Sequence, residues 1–247
     1  MSLWLFLFGA GMLGGALNSV AGGGSFIGLP ALLYAGIPPV AANATTTLAL
    51  WPGAVSSAVA YRRDIRASLK TLLVLGAVSL IGGLLGALLL VRTSDTSFMR
   101  LLPWLMLVAA AAFTFGNRLT PRASSGAPQH VVAPWAVLLQ LVISVYGGYF
   151  GGGIGIMMLA TLAMAGMTDI HEMNGLKSTL GATINGIALA EFVYNGSVYW
   201  KPGLVMVAGG IVGGYAGASL ARRIDRRYVR VFVILVGWGM TSYFFLR

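Results

Sequence analysis

Lys177 stands inside an apolar stretch, with Asn174 before it and Ser178 beside it. A charge near the centre of a bilayer costs at least about 3 kcal/mol on insertion scales, so such a residue usually faces a cavity or a partner. A bound anion would be such a partner. The plainer reading is that the side chain snorkels to the surface near His171 and Glu172. Asn174, Ser178, Gly181 and Asn185 fall on one face of a helix. Earlier in the chain, Asn43 and Thr47 take the places of Asn174 and Ser178, and Thr46 takes the place of Lys177. These side chains can donate hydrogen bonds to an anion that has shed its water. Their bland role is to hold helices together, at about 1 kcal/mol per bond.

Each polar helix start is preceded by three glycines. Gly22-Gly23-Gly24 leads into Ser25, and Gly151-Gly152-Gly153 leads into Ile154-Gly155. Irregular backbone at membrane depth persists only where it is buried in protein or lines a wet cavity. A short helix starting there offers free N–H groups and the positive end of its dipole, which suits an anion. Ser25 is placed to cap the first such helix. The alternative is close packing, for which glycine is common in membrane helices.

The remaining candidates are weaker. Glu191, near the far end of the Lys177 helix, is a candidate for a coupling proton, although a carboxylate so near a helix end is more often solvated. Asp169, His171 and Glu172 crowd one loop, where helix capping fits better than a metal site. His130 reads as exposed, and Asn18 as a helix–helix hydrogen bond. With no cysteine, and both histidines in loops, the chain offers no nucleophile–base pair. No catalytic residue, metal or cofactor is expected. No nucleotide-binding motif is present.

The elements that must carry these residues follow from composition. Of 247 residues, 57% are hydrophobic and 9% charged, too few charges to cover a soluble domain. The net charge of +10 sits in short loops between apolar runs, where it sets membrane orientation and does not indicate nucleic acid. Helices are expected at 3–21, 40–60, 69–91, 98–115, 134–150, 172–194, 202–221 and 229–246. Short segments are expected at 25–36 and from the second triplet to Gly166. A dozen residues reach about 18 Å, against a hydrocarbon core of about 30 Å. Residues 116–133 have turn composition and separate an N-terminal repeat, 1–115, from a C-terminal one, 134–247.

The halves align. Asn43 to Asn174 is an offset of 131, shared by Thr47 to Ser178 and by Gly82-Gly83-x-x-Gly86 to Gly213-Gly214-x-x-Gly217. The ordered matches point to duplication. Basic residues then orient it. Arg62, Arg63, Arg66 and Lys70 lie between the third and fourth segments. In the second half the basic loop, Arg222 to Arg230, lies one segment later. Basic short loops stay in the cytoplasm, so equivalent loops face opposite sides, as in an inverted repeat with an odd number of segments. Both termini are then outside, with the linker cytoplasmic.

Ala21 to Pro30, the Gly36-Ile37-Pro38-Pro39 turn, Asn43 with its threonines, and Phe150 to Gly155 with Asn174 and Lys177 together resemble the TauE/SafE family of membrane permeases. The resemblance covers nearly the whole chain at both repeats. It implies an exporter of sulfite, an organosulfonate or a related small sulfur-containing or carboxylate anion. In this chain the second triplet is followed by Ile154-Gly155, not Ser-Phe, so the two half-sites are chemically unequal.

The reading at this point is an all-α polytopic protein of the cell membrane, with two inverted repeats of about five hydrophobic segments. Short or broken helices follow the glycine triplets. An anion would rest among Gly22, Gly23, Gly24, Ser25, Asn43, Thr46, Thr47, Gly151, Gly152, Gly153, Asn174, Lys177 and Ser178, and one half would rock against the other. A passive anion channel is the alternative, and an intramembrane enzyme ranks below it. The expected partners are the anion and the lipid bilayer, not nucleic acid. A homo-oligomer is compatible with the pattern.

Overall fold

The computed structural model describes residues 2–20, 22–116, 131–221 and 226–246. The described residues form ten α-helices and no strand. They are α1 (Leu3–Val20), α2 (Ser25–Tyr34), α3 (Pro39–Tyr61), α4 (Leu69–Val91), α5 (Asp95–Phe115), α6 (Pro134–Tyr149), α7 (Ile154–Met164), α8 (Ile170–Tyr194), α9 (Trp200–Ala221) and α10 (Arg226–Leu246). Most of the expected linker, with Arg118, Arg122 and His130, lies outside the described residues.

Local chemistry sets the ends. Pro39 and Pro134 each occupy the first turn of their helix, where no N–H is needed. Ser68 and Ser94 cap α4 and α5 by accepting from the N–H of Thr71 and Ser97. The Ser94 cap starts α5 three residues before the position that hydropathy alone suggests. At α8 the Asp169 carboxylate accepts from the N–H groups of His171 and Glu172. Those two bonds, His171 first, hold the Asp169 carboxyl below its ordinary value. The loop trio is therefore a capped helix start, and no metal-holding group of three acidic or histidine residues occurs among the described residues.

The two short helices end alike. Ile37 N–H returns to the Leu32 carbonyl around Gly36, and Met167 N–H to that of Leu162 around Gly166, both glycines having positive φ. α2 and α7 have 10 and 11 residues, about half a bilayer core in length.

Packing has a regular pattern. α1 lies along α9, and α4 along α6; α3 lies along α8, and α5 along α10. α1–α2, α2–α3 and α1–α3 contacts have counterparts in α6–α7, α7–α8 and α6–α8. The tightest seams are built on glycine. A Cβ on Gly15 would strike the Gly210 carbonyl, one on Gly213 the Met12 carbonyl, one on Gly86 the Val145 carbonyl, and one on Gly148 the Gly83 carbonyl. Here backbones approach without side chains between them, as small residues permit in lipid.

The outer surface is apolar. Leu13 on α1, Leu85 and Leu89 on α4, Leu138 and Val142 on α6, and Ile211 on α9 are all exposed. Trp4, Trp135 and Trp200 are exposed at helix starts, where indole suits the membrane–water boundary. By length and composition, α4 and α5 are the described helices that pass as membrane spans. Together with the exposed apolar belt, these spans fit a protein that sits in a membrane.

Candidate functional site

The first glycine of each triplet closes the preceding helix. Gly22 and Gly151 both take φ near +82°, and Gly22 N–H reaches the Leu17 and Asn18 carbonyls while Gly151 N–H reaches that of Tyr146. A Cβ on Gly22 would meet nothing within 4 Å. The next two glycines are packed. Gly23 abuts Val233 and Phe113; Gly24 abuts Leu50 and the Gly14 carbonyl; Gly152 abuts the Phe150 ring; and Gly153 abuts Ala109. A side chain at any of these four positions would press on its neighbours.

Both triplets are brought to one helix. Phe113 and Ala109 stand four residues apart on α5, about 6 Å along its axis. Among the described residues, nothing accepts a hydrogen bond from the N–H of Gly23, Gly24 or Ser25, nor from that of Gly152 or Gly153. The expected Ser25 cap is not formed. Gly24 is the N-cap of α2 with no side-chain bond, because Ser25 is already inside the helix. At α7 the N-cap is Gly153, in the left-handed conformation.

Lys177 lies over the start of α7. Its Cδ would be 3.4 Å from a Cβ on Gly155, and Cγ and Cε are nearly as close. The stem thus lies along the short helix two residues past the second triplet. The side chain is half-buried, and no described residue bonds or pairs with its ammonium. On the other side Thr46 lies over Gly28 of α2, with its hydroxyl donating to the Ala42 carbonyl.

The polar residues of α3 and α8 cross between the halves. Asn43 Nδ2 donates to the Tyr149 carbonyl at 3.0 Å, beside the second triplet. Its Oδ1 is buried and meets no donor among the described residues. Ser178 and Ser57 hydroxyls are 3.1 Å apart. Asn185 Oδ1 lies near Gly151, and Met158 of α7 lies near Gly181, so the α8 face faces α7. Thr47 spends its hydroxyl on the Asn43 carbonyl. Asn174 is half-buried with no hydrogen bond from its side chain among the described residues. Glu191 sits at the far end of α8, held by Asn195 Nδ2 at 2.6 Å.

Sequence reasoning missed three of these connections. Trp51 Nε1 donates to the Ala182 carbonyl at 3.0 Å, joining α3 to α8. Gln140, almost fully buried in α6, donates to Ser79 of α4 and reaches Ser144 and the Met158 sulfur. Thr45 accepts from Tyr199 N–H at the start of α9. A lone Gln in an apolar helix was the available signal for the second; the others depend on which helices meet.

The comparisons with known proteins bear on this geometry. The family model described as "Sulfite exporter TauE/SafE" matches residues 7–244. The chain belongs to the TauE/SafE family. TauE/SafE-like relatives agree along its length. A Haemophilus influenzae "Probable membrane transporter protein" is 28% identical over 98% of this chain and 94% of its own. A Sinorhizobium "Probable membrane transporter protein ORF9" is 32% identical over 95% and 89%. Escherichia coli YfcA, under the same description, is 28% identical over 96% and 87%. No solved structure matches. The TauE/SafE family and these names indicate a membrane transporter and not an enzyme.

Proposed function

We propose that this chain is a secondary transporter exporting a small anion such as sulfite, an organosulfonate or a related sulfur-containing anion, by alternating access. The family description supplies the sulfite reading. The observation that carries the anion reading is Lys177, without a partner among the described residues, whose stem lies along the start of α7, with the N–H groups of Gly152 and Gly153, likewise unclaimed among them, close by in sequence. Ammonium, amide hydrogens and the positive end of a helix dipole all favour negative charge. Gly22, Gly23, Gly24, Ser25, Asn43, Thr46, Thr47, Gly151, Asn174 and Ser178 complete the proposed surroundings. Glu191 is the carboxylate proposed for proton coupling.

The two halves are proposed as inverted repeats, with both termini outside and the basic loops in the cytoplasm. The recurring contacts of α1–α9 with α6–α4, and the matching glycine turns, support a duplication. The test is flux in proteoliposomes with labelled sulfite, a sulfonate and a carboxylate, with and without a proton gradient. Saturable sulfite flux that responds to the gradient is expected. Rapid flux that does not saturate would replace the carrier with an anion channel, and no flux of any of the three would refute the reading.

A further inference from the structure

The packing does not divide the molecule where the sequence does. α4 belongs to the first repeat in sequence but lies along α6, and α9 belongs to the second but lies along α1. Both seams are backbone on backbone: Gly86 and Gly148 in one, Gly15 and Gly213 in the other. Such seams have no side chains that could change rotamer to let them slide, so each pair behaves as one body. Side-chain clustering sets α4 and α6 together with α7 and α8, while the larger core joins α1, α2, α3 and α9 to the ends of α4 and α8 through Ala87, Leu90, Ala188 and Phe192. One apolar cluster draws its helical members from α4, α6, α7 and α8 alone, from Leu75 through Ile143, Met158 and Leu162 to Leu180.

The boundary between α3 and α8 is also extensive, but its close approaches are mainly to side chains: Gly186 meets the Trp51 ring, and Gly175 meets Ile65 and, at 3.3 Å, the Tyr61 carbonyl. It is crossed by single polar bonds, Trp51 to the Ala182 carbonyl and Ser57 to Ser178, while Asn43 reaches the Tyr149 carbonyl of α6. Each is worth about 1 kcal/mol in a membrane, so the set can break and re-form. Ser178 lies on this boundary, next in sequence to Lys177, and Asn43 ties α3 to the end of α6.

We infer that the bodies that move during transport are two composite lobes, α1–α2–α3 with α9 and α6–α7–α8 with α4, which have exchanged a helix between the repeats. They slide on the α3–α8 boundary, and α5 with α10 braces both. This rests on the secondary-transport reading, and replaces half-against-half rocking with lobe-against-lobe motion.

The absence of cysteine makes spin labelling at introduced cysteines direct. Leu13, Leu85 and Ile211 are exposed at 51%, 46% and 60%. The pair Leu13→Cys with Leu85→Cys lies in one repeat but spans two lobes; Leu13→Cys with Ile211→Cys spans two repeats within one lobe. Distances are measured in nanodiscs, without and with saturating sulfite, and again after Trp51→Phe with Ser57→Ala. Ser57→Thr, which keeps a hydroxyl, serves as the conservative control. The Leu13–Leu85 distribution should be broad or shift by several ångströms with sulfite or with the weakened boundary. The Leu13–Ile211 distribution should stay narrow and fixed. The reverse pattern, or two fixed distances, overturns the lobes. Sulfite flux measured on the same preparations separates the claims. Flux with fixed distances keeps the transporter and discards the lobes, and lobe motion without flux does the opposite.

Discussion

The Lys177 stem runs along Gly155, so packing delivers its ammonium to a defined place. Lys177→Ala should lower saturable sulfite flux at least about tenfold, the scale of one lost hydrogen bond to a charged group. Lys177→Arg should recover part of it, and equal expression of the variants would be checked on a blot. Unchanged flux in Lys177→Ala would remove the residue from the site. Asp169 allows a prediction of a different sort. Bonding from His171 and Glu172 favours its charged form in the folded protein. Its contribution is therefore fully present above the ordinary carboxyl value of about 3.9 and is lost as pH falls through the lower folded value. Asp169→Ala should lower the melting temperature in detergent at pH 7, and the gap from the wild type should narrow as the pH falls below the ordinary carboxyl value. The candidate residues stood out in the sequence because a lysine, paired asparagines and glycine triplets are conspicuous in an apolar background. Tyr149 was not, because it acts through its backbone carbonyl, which carries no sequence signal.

Helices were read almost to the residue where hydropathy ends abruptly, as at 69–91. They were read late where a polar first turn is part of the helix. Ser94 and Asp95 open α5, and Asp169 to His171 open α8, since capping groups are hydrophilic and look like loop. The pairing of helices was not legible, because glycines on α4 and α9 say that a close neighbour exists without naming it. That pairing predicts large effects from small positions. Gly86→Leu sets a side chain against the Val145 carbonyl, which no rotamer change relieves. It should cost at least the roughly 1–3 kcal/mol of ordinary overpacking, visible as lost monodispersity and a lower melting temperature. Gly76→Leu, where a Cβ on the same helix meets nothing, should leave both nearly unchanged.

At the scale of the molecule, the distribution of arginines supports the proposed orientation in the membrane, which labelling can test. A tag placed after Arg247 should be reached from outside intact cells, and an impermeant thiol reagent should label Arg63→Cys only after permeabilisation. Labelling of Arg63→Cys in intact cells would reverse the orientation while leaving the fold untouched.

The α1–α9 seam also imposes an order on biosynthesis. α1 ends at Val20 and its partner begins at Trp200. At ~5–20 residues per second, a ribosome needs about 10–40 s to supply the roughly 180 residues between them. For that interval the glycine face of α1, and for a shorter one that of α4, must be covered by lipid or by the insertion machinery. A chain stopped before α9 would retain an open groove of bare backbone, and it is such a nascent product that quality-control proteases would meet first.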